Sequence, residues 1–339
     1  MKRYGNLFEK IYDFDNLYTA HCNARKGKTH YRAVQEVDEC PVKYILKIQS
    51  MLFDRTYKTS EYTIFTKTDK NKEREIYALP YYPDRIIQWA IVQVLEPIWM
   101  ESFVSGTYSS LKGRGIHKAL RDLRKSLRDG AETKYCLKLD IRKFYPSIDH
   151  QVLKEILRKK IKDADVLTLL DEIIDSAPGV PIGNYLSQYF SNLYLNDFDH
   201  WVKESQHIKH YFRYCDDIVI LARDKKELWR LYSKIERYIR KNLKLEIKDN
   251  YQVFPTHTRG IDFVGYRCFG NYTLVRKSIA KTMKEKILPL HTKSELTDYD
   301  RCVIGSYSGW LIWGDTYRLS LKYIRPLSKK MMRGTKNGC

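Results

Sequence analysis

The sequence predicts an α+β fold, and three observations carry that reading. Helical and strand periodicities are mixed along the chain, an apolar antiparallel hairpin lies near its middle, and no internal repeat or low-complexity linker separates the parts. The 339 residues, 43% of them hydrophobic, suffice for a sizeable core in one large subdivided domain or two ordinary ones.

The elements follow in order. Residues 6–55 read as helical, with charged faces between apolar positions such as Leu7, Phe8 and Ile11. Residues 61–79 alternate through Tyr62, Ile64, Phe65, Ile76 and Tyr77, which predicts a hairpin turning near Asp69–Asn71. Asp84–Trp99 follows a helical period through Ile87, Ala90, Ile91, Val94 and Leu95, as an interior helix would. Ile116, Leu120, Leu123 and Leu127 share one face of another helix, ended by Gly130. Tyr135–Asp140 is a short strand and Val152–Ile161 is helical with a basic outer face. Tyr211–Ala222 reads as two apolar strands around the polar tip Cys215-Asp216-Asp217. Leu228, Leu231, Ile235 and Ile239 form one more amphipathic helix, followed by short strands at 245–254 and 261–268.

Charge narrows the function. Lys and Arg number 61 against 41 Asp and Glu, a net +20 that suits a polyanion, because cationic side chains on phosphates release condensed counterions. An anionic membrane surface would also attract it, but no stretch approaches ~18 uninterrupted apolar residues. No signal-peptide run opens the chain. A soluble, cytoplasmic protein is expected. Seven cysteines stand singly, with no C-x-x-C pair, so reduced thiols are expected rather than a zinc site or a disulfide framework.

Two segments share one grammar. In LKLDIRKFYPSIDH an apolar strand ends on Asp140; in YFRYCDDIVILA two adjacent acids interrupt an apolar hairpin. Like charges held together in a half-buried place repel, and hard divalent cations with oxygen ligands relieve that repulsion. Two such ions about 3.5–4 Å apart can clamp both sides of an in-line phosphoryl displacement. A polar β-turn is the alternative for the Asp216–Asp217 pair taken alone.

Tyr214-Cys215-Asp216-Asp217 resembles the Y-x-D-D box of reverse transcriptases, and Leu139-Asp140 through Tyr145 resembles that family's first acidic motif. Further blocks occur in the family's order: Arg74-Glu75-Ile76, Pro83-Asp84-Arg85 through Pro97, Gly113-Arg114-Gly115, Gly179–Gln188, and Ile261 through Tyr266. The resemblance implies a right-hand polymerase with fingers, palm and thumb, catalysing RNA-directed DNA synthesis with two Mg²⁺ ions, Mn²⁺ being a possible substitute. It implies metal ligation by Asp140, Ile141, Asp216 and Asp217, with the three aspartates catalytic. It places Arg74 on the triphosphate, and Lys67 is either its companion or a solvated lysine. Tyr145 would sit under the incoming sugar and exclude a 2′-hydroxyl, with a core tyrosine as its alternative role. Ile182, Gly183 and Lys248 complete the nucleotide set, Lys248 near the leaving pyrophosphate. The implied subdivision is 1–79 N-terminal segment and fingers, 80–149 first part of the palm, 150–180 fingers insertion, 181–270 second part of the palm, and 271–339 thumb.

The block Gly179-Val-Pro-Ile-Gly-Asn-Tyr-Leu-Ser-Gln188 departs from the usual P-Q-G and S-P pattern: Ile182 replaces the glutamine and Ser187-Gln188 the serine-proline. The I-G-N-x-x-S-Q pattern resembles reverse transcriptases of diversity-generating retroelements. These copy a template-repeat RNA, misincorporate opposite adenine, and work with a small basic accessory protein in bacterial, archaeal or phage settings. Isoleucine offers no hydrogen bond that only a correct pair could exploit, so discrimination shrinks; Ile182 as an ordinary core residue stays open. Group II intron enzymes share the early blocks and the Phe144–His150 ending, but carry further segments beyond the thumb. Here about 70 residues follow the late block, which leaves no room for a separate RNase H domain. Residues 271–339 hold fourteen Lys/Arg against five Asp/Glu. Tyr307, Trp310, Leu311 and Trp313 are interleaved at a spacing that suits a packed helical thumb on the template–primer duplex better than a solubilising tail.

Overall fold

The computed structural model describes residues 2–69 and 72–332. Two compact units emerge, one of Met1–Leu111, Asp140–His207 and Lys234–Asp249, the other of Lys112–Leu139, Ile208–Ser233 and Asn250–Cys339.

The first unit opens with helices α1 (Phe8–Tyr12), α2 (Phe14–Ala24), α3 (Arg32–Glu39) and α4 (Pro41–Phe53). Local chemistry sets their starts. Asp13 caps α2 by accepting from Asp15 N and Asn16 N, and Pro41 begins α4 where a missing N–H costs nothing. The hairpin expected over 61–79 forms as β1 (Thr63–Asp69) and β2 (Lys72–Ala78), in register from Thr63↔Ala78 to Asp69↔Lys72. Of its expected turn near Asp69–Asn71, residues 70 and 71 lie outside the described residues. Helix α5 (Ile86–Met100) is the centre of this unit. Ile87, Ala90, Ile91 and Leu95 are fully buried on it, as their helical period predicts, and it packs against α2. Helices α7 (His150–Lys160), α8 (Ala164–Asp175), α9 (Ser187–Tyr194) and α10 (Asn196–His200) complete the layer. Asp163 caps α8 through Val166 N, and its second oxygen accepts from Leu7 N at 2.6 Å and Phe8 N at 3.1 Å, fixing the start of α1.

The second unit is built on a four-stranded sheet of order β4-β5-β3-β6, where β3 is Tyr135–Asp140, β4 His210–Tyr214, β5 Asp217–Ala222 and β6 Gln252–Pro255. Ile218, Val219 and Ile220 are fully buried, so both faces of β5 are covered and the strand reads as a continuous apolar run. Helix α6 (Ile116–Leu127) lays Leu120 and Leu123 into this core against β4. A separate three-stranded sheet joins β7 (Ile261–Phe263), β8 (Tyr266–Cys268) and β9 (Thr273–Val275). Helix α11 (Lys225–Leu243), whose residues from Lys234 on belong to the first unit, carries the expected apolar positions; α12 (Thr256–Arg259), α13 (Lys277–Ile287) and α14 (Asp298–Ile312) follow. The strand expected at 245–254 is regular only over β6. Residues before it turn at Asp249 and Asn250, where short polar side chains favour a turn over a ladder.

The 271–339 segment is a packed element over its described part. Ile304 and Leu311 are buried on α14, the Tyr266 hydroxyl donates to Trp310 O at 3.0 Å, and the Trp313 ring stacks on His117 at 4.4 Å. A capping box starts α14: Thr297 Oγ1 accepts from Asp300 N while the Asp300 carboxylate accepts from Thr297 N and from Lys293 Nζ at 2.8 Å. The Lys293 ammonium and these caps hold the Asp300 carboxyl at about 2, below its ordinary 3.8. A depressed carboxylate stabilises the fold above the unfolded value, and that stability is lost as pH falls through the folded one. The melting temperature of Asp300→Asn is therefore expected to lie below that of the parent at neutral pH. The gap should close as pH falls from 3.8 toward 2. A gap that persists unchanged at the acid end would remove the ion pair from the account.

Candidate active site

The first acidic motif lies where β3 leaves its sheet. Asp140 O accepts from Lys248 N at 2.8 Å and Arg142 N donates to Glu246 O at 2.7 Å, so residues 140–142 run beside 246–248 around the Ile141↔Ile247 bridge. The Ile141 side chain is fully buried and its carbonyl lies outside those two bonds. Lys248 Nζ donates to Asp140 Oδ1 at 2.5 Å, with both side chains about one-third exposed. Lys248 is therefore the counter-ion of Asp140 in this structure.

After Asp140 the chain turns sharply through Lys143, with φ 42°, into a short helical turn at Tyr145–Ser147. Phe144 takes the core position, while Tyr145 is half-exposed beside it at 5.6 Å between ring centroids. That arrangement disfavours a plain core tyrosine. The turn is laced to the loop of residues 179–180: Val180 N donates to Tyr145 O at 2.9 Å, and His150 Nε2 lies 2.8 Å from Gly179 O.

The second acidic motif is the tip of the β4–β5 hairpin. Tyr214 pairs with Asp217, leaving Cys215 and Asp216 as a two-residue turn in which Cys215 has φ 58°. Arg213, fully buried, donates to Cys215 O at 3.0 Å and places a cation beneath the acidic tip. Lys138 Nζ lies 3.4 Å from both carboxylate oxygens of Asp217. Sequence reading missed Arg213 and Lys138. The available signal was a lone cation inside each of two apolar strands, YFRY and LKLD.

The nucleotide-binding candidates lie on the first unit. Register places Lys67 directly opposite Arg74, both exposed on the hairpin and, among the described residues, without a carboxylate partner. Like charges directly opposite destabilise a strand pair, and an anion between them would reverse that cost. The base of β2 is docked onto the predicted block: Tyr77 N donates to Ile182 O at 2.8 Å. Gly183 has φ +121°, and a Cβ there would lie 2.5 Å from Tyr77 O, so only glycine fits that approach. Ile182 is partly buried. Asn184 is buried and donates to the Tyr62 hydroxyl at 3.2 Å, and Ser187 Oγ donates to Pro181 O at 2.6 Å. The block's Asn and Ser thus shape the loop that presents Ile182.

The donors suit a hard divalent cation: carboxylate oxygens, partly exposed, with an ammonium already held at Asp140 and at Asp217 where positive charge is wanted. Among the described residues no three His, Cys, Asp or Glu side chains converge on one point.

Residues 65–268 match the family described as reverse transcriptase (RNA-dependent DNA polymerase). Protein YkfC of Escherichia coli (strain K12) is 25% identical over 234 residues, covering 56% of this chain and 61% of that protein. Group II intron-encoded protein LtrA of Lactococcus lactis subsp. cremoris is 25% identical over 215 residues, 58% of this chain and 35% of its own length. The chain thus spans less than two thirds of either relative. Apo telomerase from Candida tropicalis shares the fold at 12% identity with a TM-score of 0.52, over 75% of this chain and 52% of that one. Among the described residues no helix is long and apolar enough to cross a membrane.

Proposed function

This chain belongs to the reverse transcriptase family, and from that membership we propose that it is an RNA-directed DNA polymerase making adenine-mutagenic cDNA from a template-repeat RNA of a diversity-generating retroelement. Its substrates on this reading are dNTPs and an RNA/DNA primer duplex, with a small basic accessory protein as partner.

On this reading Asp140, the Ile141 carbonyl, Asp216 and Asp217 are the ligands of two Mg²⁺ ions or of Mn²⁺. Bound there, the ions would supply the charge that acidifies a primer 3′-hydroxyl and offsets the leaving pyrophosphate. The chain's own residues do the rest. Arg74, with Lys67 across the strand pair, holds triphosphate oxygens in a forked grip. Tyr145, half-exposed on a tightly laced turn, occupies the space under the sugar and excludes a 2′-hydroxyl. Lys248 is the counter-ion of Asp140 at rest and a cation for the departing pyrophosphate when ions take its place. On this reading residues 1–79 are the N-terminal segment and fingers, 80–149 and 181–270 the palm, 150–180 a fingers insertion and 271–339 the thumb.

One observation carries the mutagenic part: the half-exposed Ile182, held by its carbonyl to Tyr77 and followed by Gly183, presents a surface with no donor or acceptor. A wrong pair loses no hydrogen bond there, so its disadvantage against a right pair is smaller. Ile182→Gln is expected to lower misincorporation opposite template adenine by about tenfold, the worth of one hydrogen bond made only by the correct geometry. Sequencing cDNA made on an RNA template by both forms checks this. An unchanged error spectrum would remove Ile182 from the account, and accurate cDNA from the parent would favour an intron-type enzyme of ordinary fidelity.

A further inference from the structure

We propose that Lys138 is a positioning residue that ties the Asp217 carboxylate to the Asp262–Gly265 turn, and so fixes where a primer end meets the second acidic motif; this rests on the polymerase reading above, in which the block Ile261 through Tyr266 is similar to the family's late block that grips the primer.

Lys138 stands in β3 between Leu137 and Leu139, both buried. Side chains alternate along a strand, so Lys138 shares the face of Asp140 and not that of its apolar neighbours. A lysine at this depth, with its side chain only 26% exposed, is costly unless its charge and donors are answered. Here they are answered from two directions. The ammonium lies 3.4 Å from each Asp217 oxygen and donates to the backbone carbonyl of Asp262. Asp262 is itself held: its carboxylate accepts from Arg276 at 2.5 and 2.7 Å, and Arg276 N donates to Gly265 O at 2.9 Å.

The geometry of the turn explains why a tie is needed. Asp217 belongs to the four-stranded sheet, while Asp262 belongs to the three-stranded sheet, and among the described residues no strand pairing joins the two sheets. Besides the short α12 connection and helix α6, which meets β4 and β8, side chains help set their relative register. The turn is tight, with Val264 at φ 44° and Gly265 at φ 89° packed against the Trp310 ring, so a shift at Asp262 bears on Gly265. An apolar side chain at position 138 could fill the space but could not bond a carbonyl and a carboxylate at once. A lysine, with three donors on a flexible stem, can do both.

Hydrogen exchange on the full chain tests the tie without requiring activity. In Lys138→Met the amides of 261–268 are expected to exchange about ten- to a hundredfold faster, the loss of one charged hydrogen bond, with α13 unchanged. Lys138→Arg should restore protection, and Lys138→Gln should move the same peptide in the same direction if the Met variant does not fold. In primer extension the maximal rate should fall by about tenfold or more while the KM for dNTP is unchanged, because nucleotide binding is not touched. Unchanged exchange at 261–268 would overturn the tie. Faster exchange with an unchanged extension rate would overturn the primer-positioning role. An inactive parent whose Met variant still exchanges faster would sink the polymerase reading and leave the tie standing.

Discussion

Asp216→Asn is expected to abolish primer extension, by at least about a thousandfold in single-turnover rate, or roughly 4 kcal/mol of transition-state stabilisation. The substitution keeps shape and removes charge. Asp216 occupies the second position of a two-residue turn, closed by the Tyr214↔Asp217 pair and buttressed by Arg213 on the Cys215 carbonyl. None of these contacts uses the Asp216 charge. Replacing one of two adjacent carboxylates also relieves their mutual repulsion. Melting temperature and affinity for a primer–template duplex are therefore expected to stay close to those of the parent, since duplex affinity comes chiefly from cations on phosphates. The combination separates chemistry from folding. Extension retained within tenfold would defeat the assignment of the three aspartates as metal ligands, and a lost fold would make the variant uninformative about chemistry while contradicting the turn geometry just described.

What the sequence made legible was local. The ending of β3 on Asp140 follows from apolar alternation that stops at a carboxylate, and the β4–β5 hairpin follows from two apolar runs around Cys215-Asp216. Helix α5 was legible because its buried positions keep a helical period. The rest depends on contacts distant in sequence. Lys138 meets Asp262 across 124 positions, and nothing in the pattern around either residue encodes the other. The opposition of Lys67 and Arg74 needs the strand register, which the residue pattern alone does not state. Residues 245–251 failed as a strand because apolar alternation through Leu245 and Ile247 marks a face, not a ladder. That face is satisfied by one bridge at Ile141, and the chain then turns away. The glycines of the 179–183 block were read as family signature, while their physical reason lies in backbone atoms of other elements.

The sharpest consequence of those distant contacts is at Gly179. Its φ is +60°, and a Cβ there would lie 2.6 Å from both Tyr145 O and Pro146 O and 2.7 Å from Pro146 C. Backbone atoms cannot swing aside as the end of a flexible side chain would. Gly179→Ala therefore combines a left-handed residue with an overpacked contact, and is expected to destabilise the fold by about 2–4 kcal/mol. The cost should be felt at Tyr145 in particular, because separating the two segments strains the Val180 N to Tyr145 O bond and the His150 contact to Gly179 O. On the proposed role of Tyr145, a displaced ring leaves room for a 2′-hydroxyl. Incorporation of ribonucleotides relative to deoxyribonucleotides should then rise by about tenfold or more, a shift of at least roughly 1.4 kcal/mol in discrimination. Thermal melting reads the first effect and competitive incorporation the second. A lowered melting temperature with sugar discrimination intact would keep the close approach and dismiss Tyr145 as the gate. Loss of discrimination without loss of stability would mean that the turn yields more easily than its lacing implies, with Tyr145 held in place by Gly179 and little else.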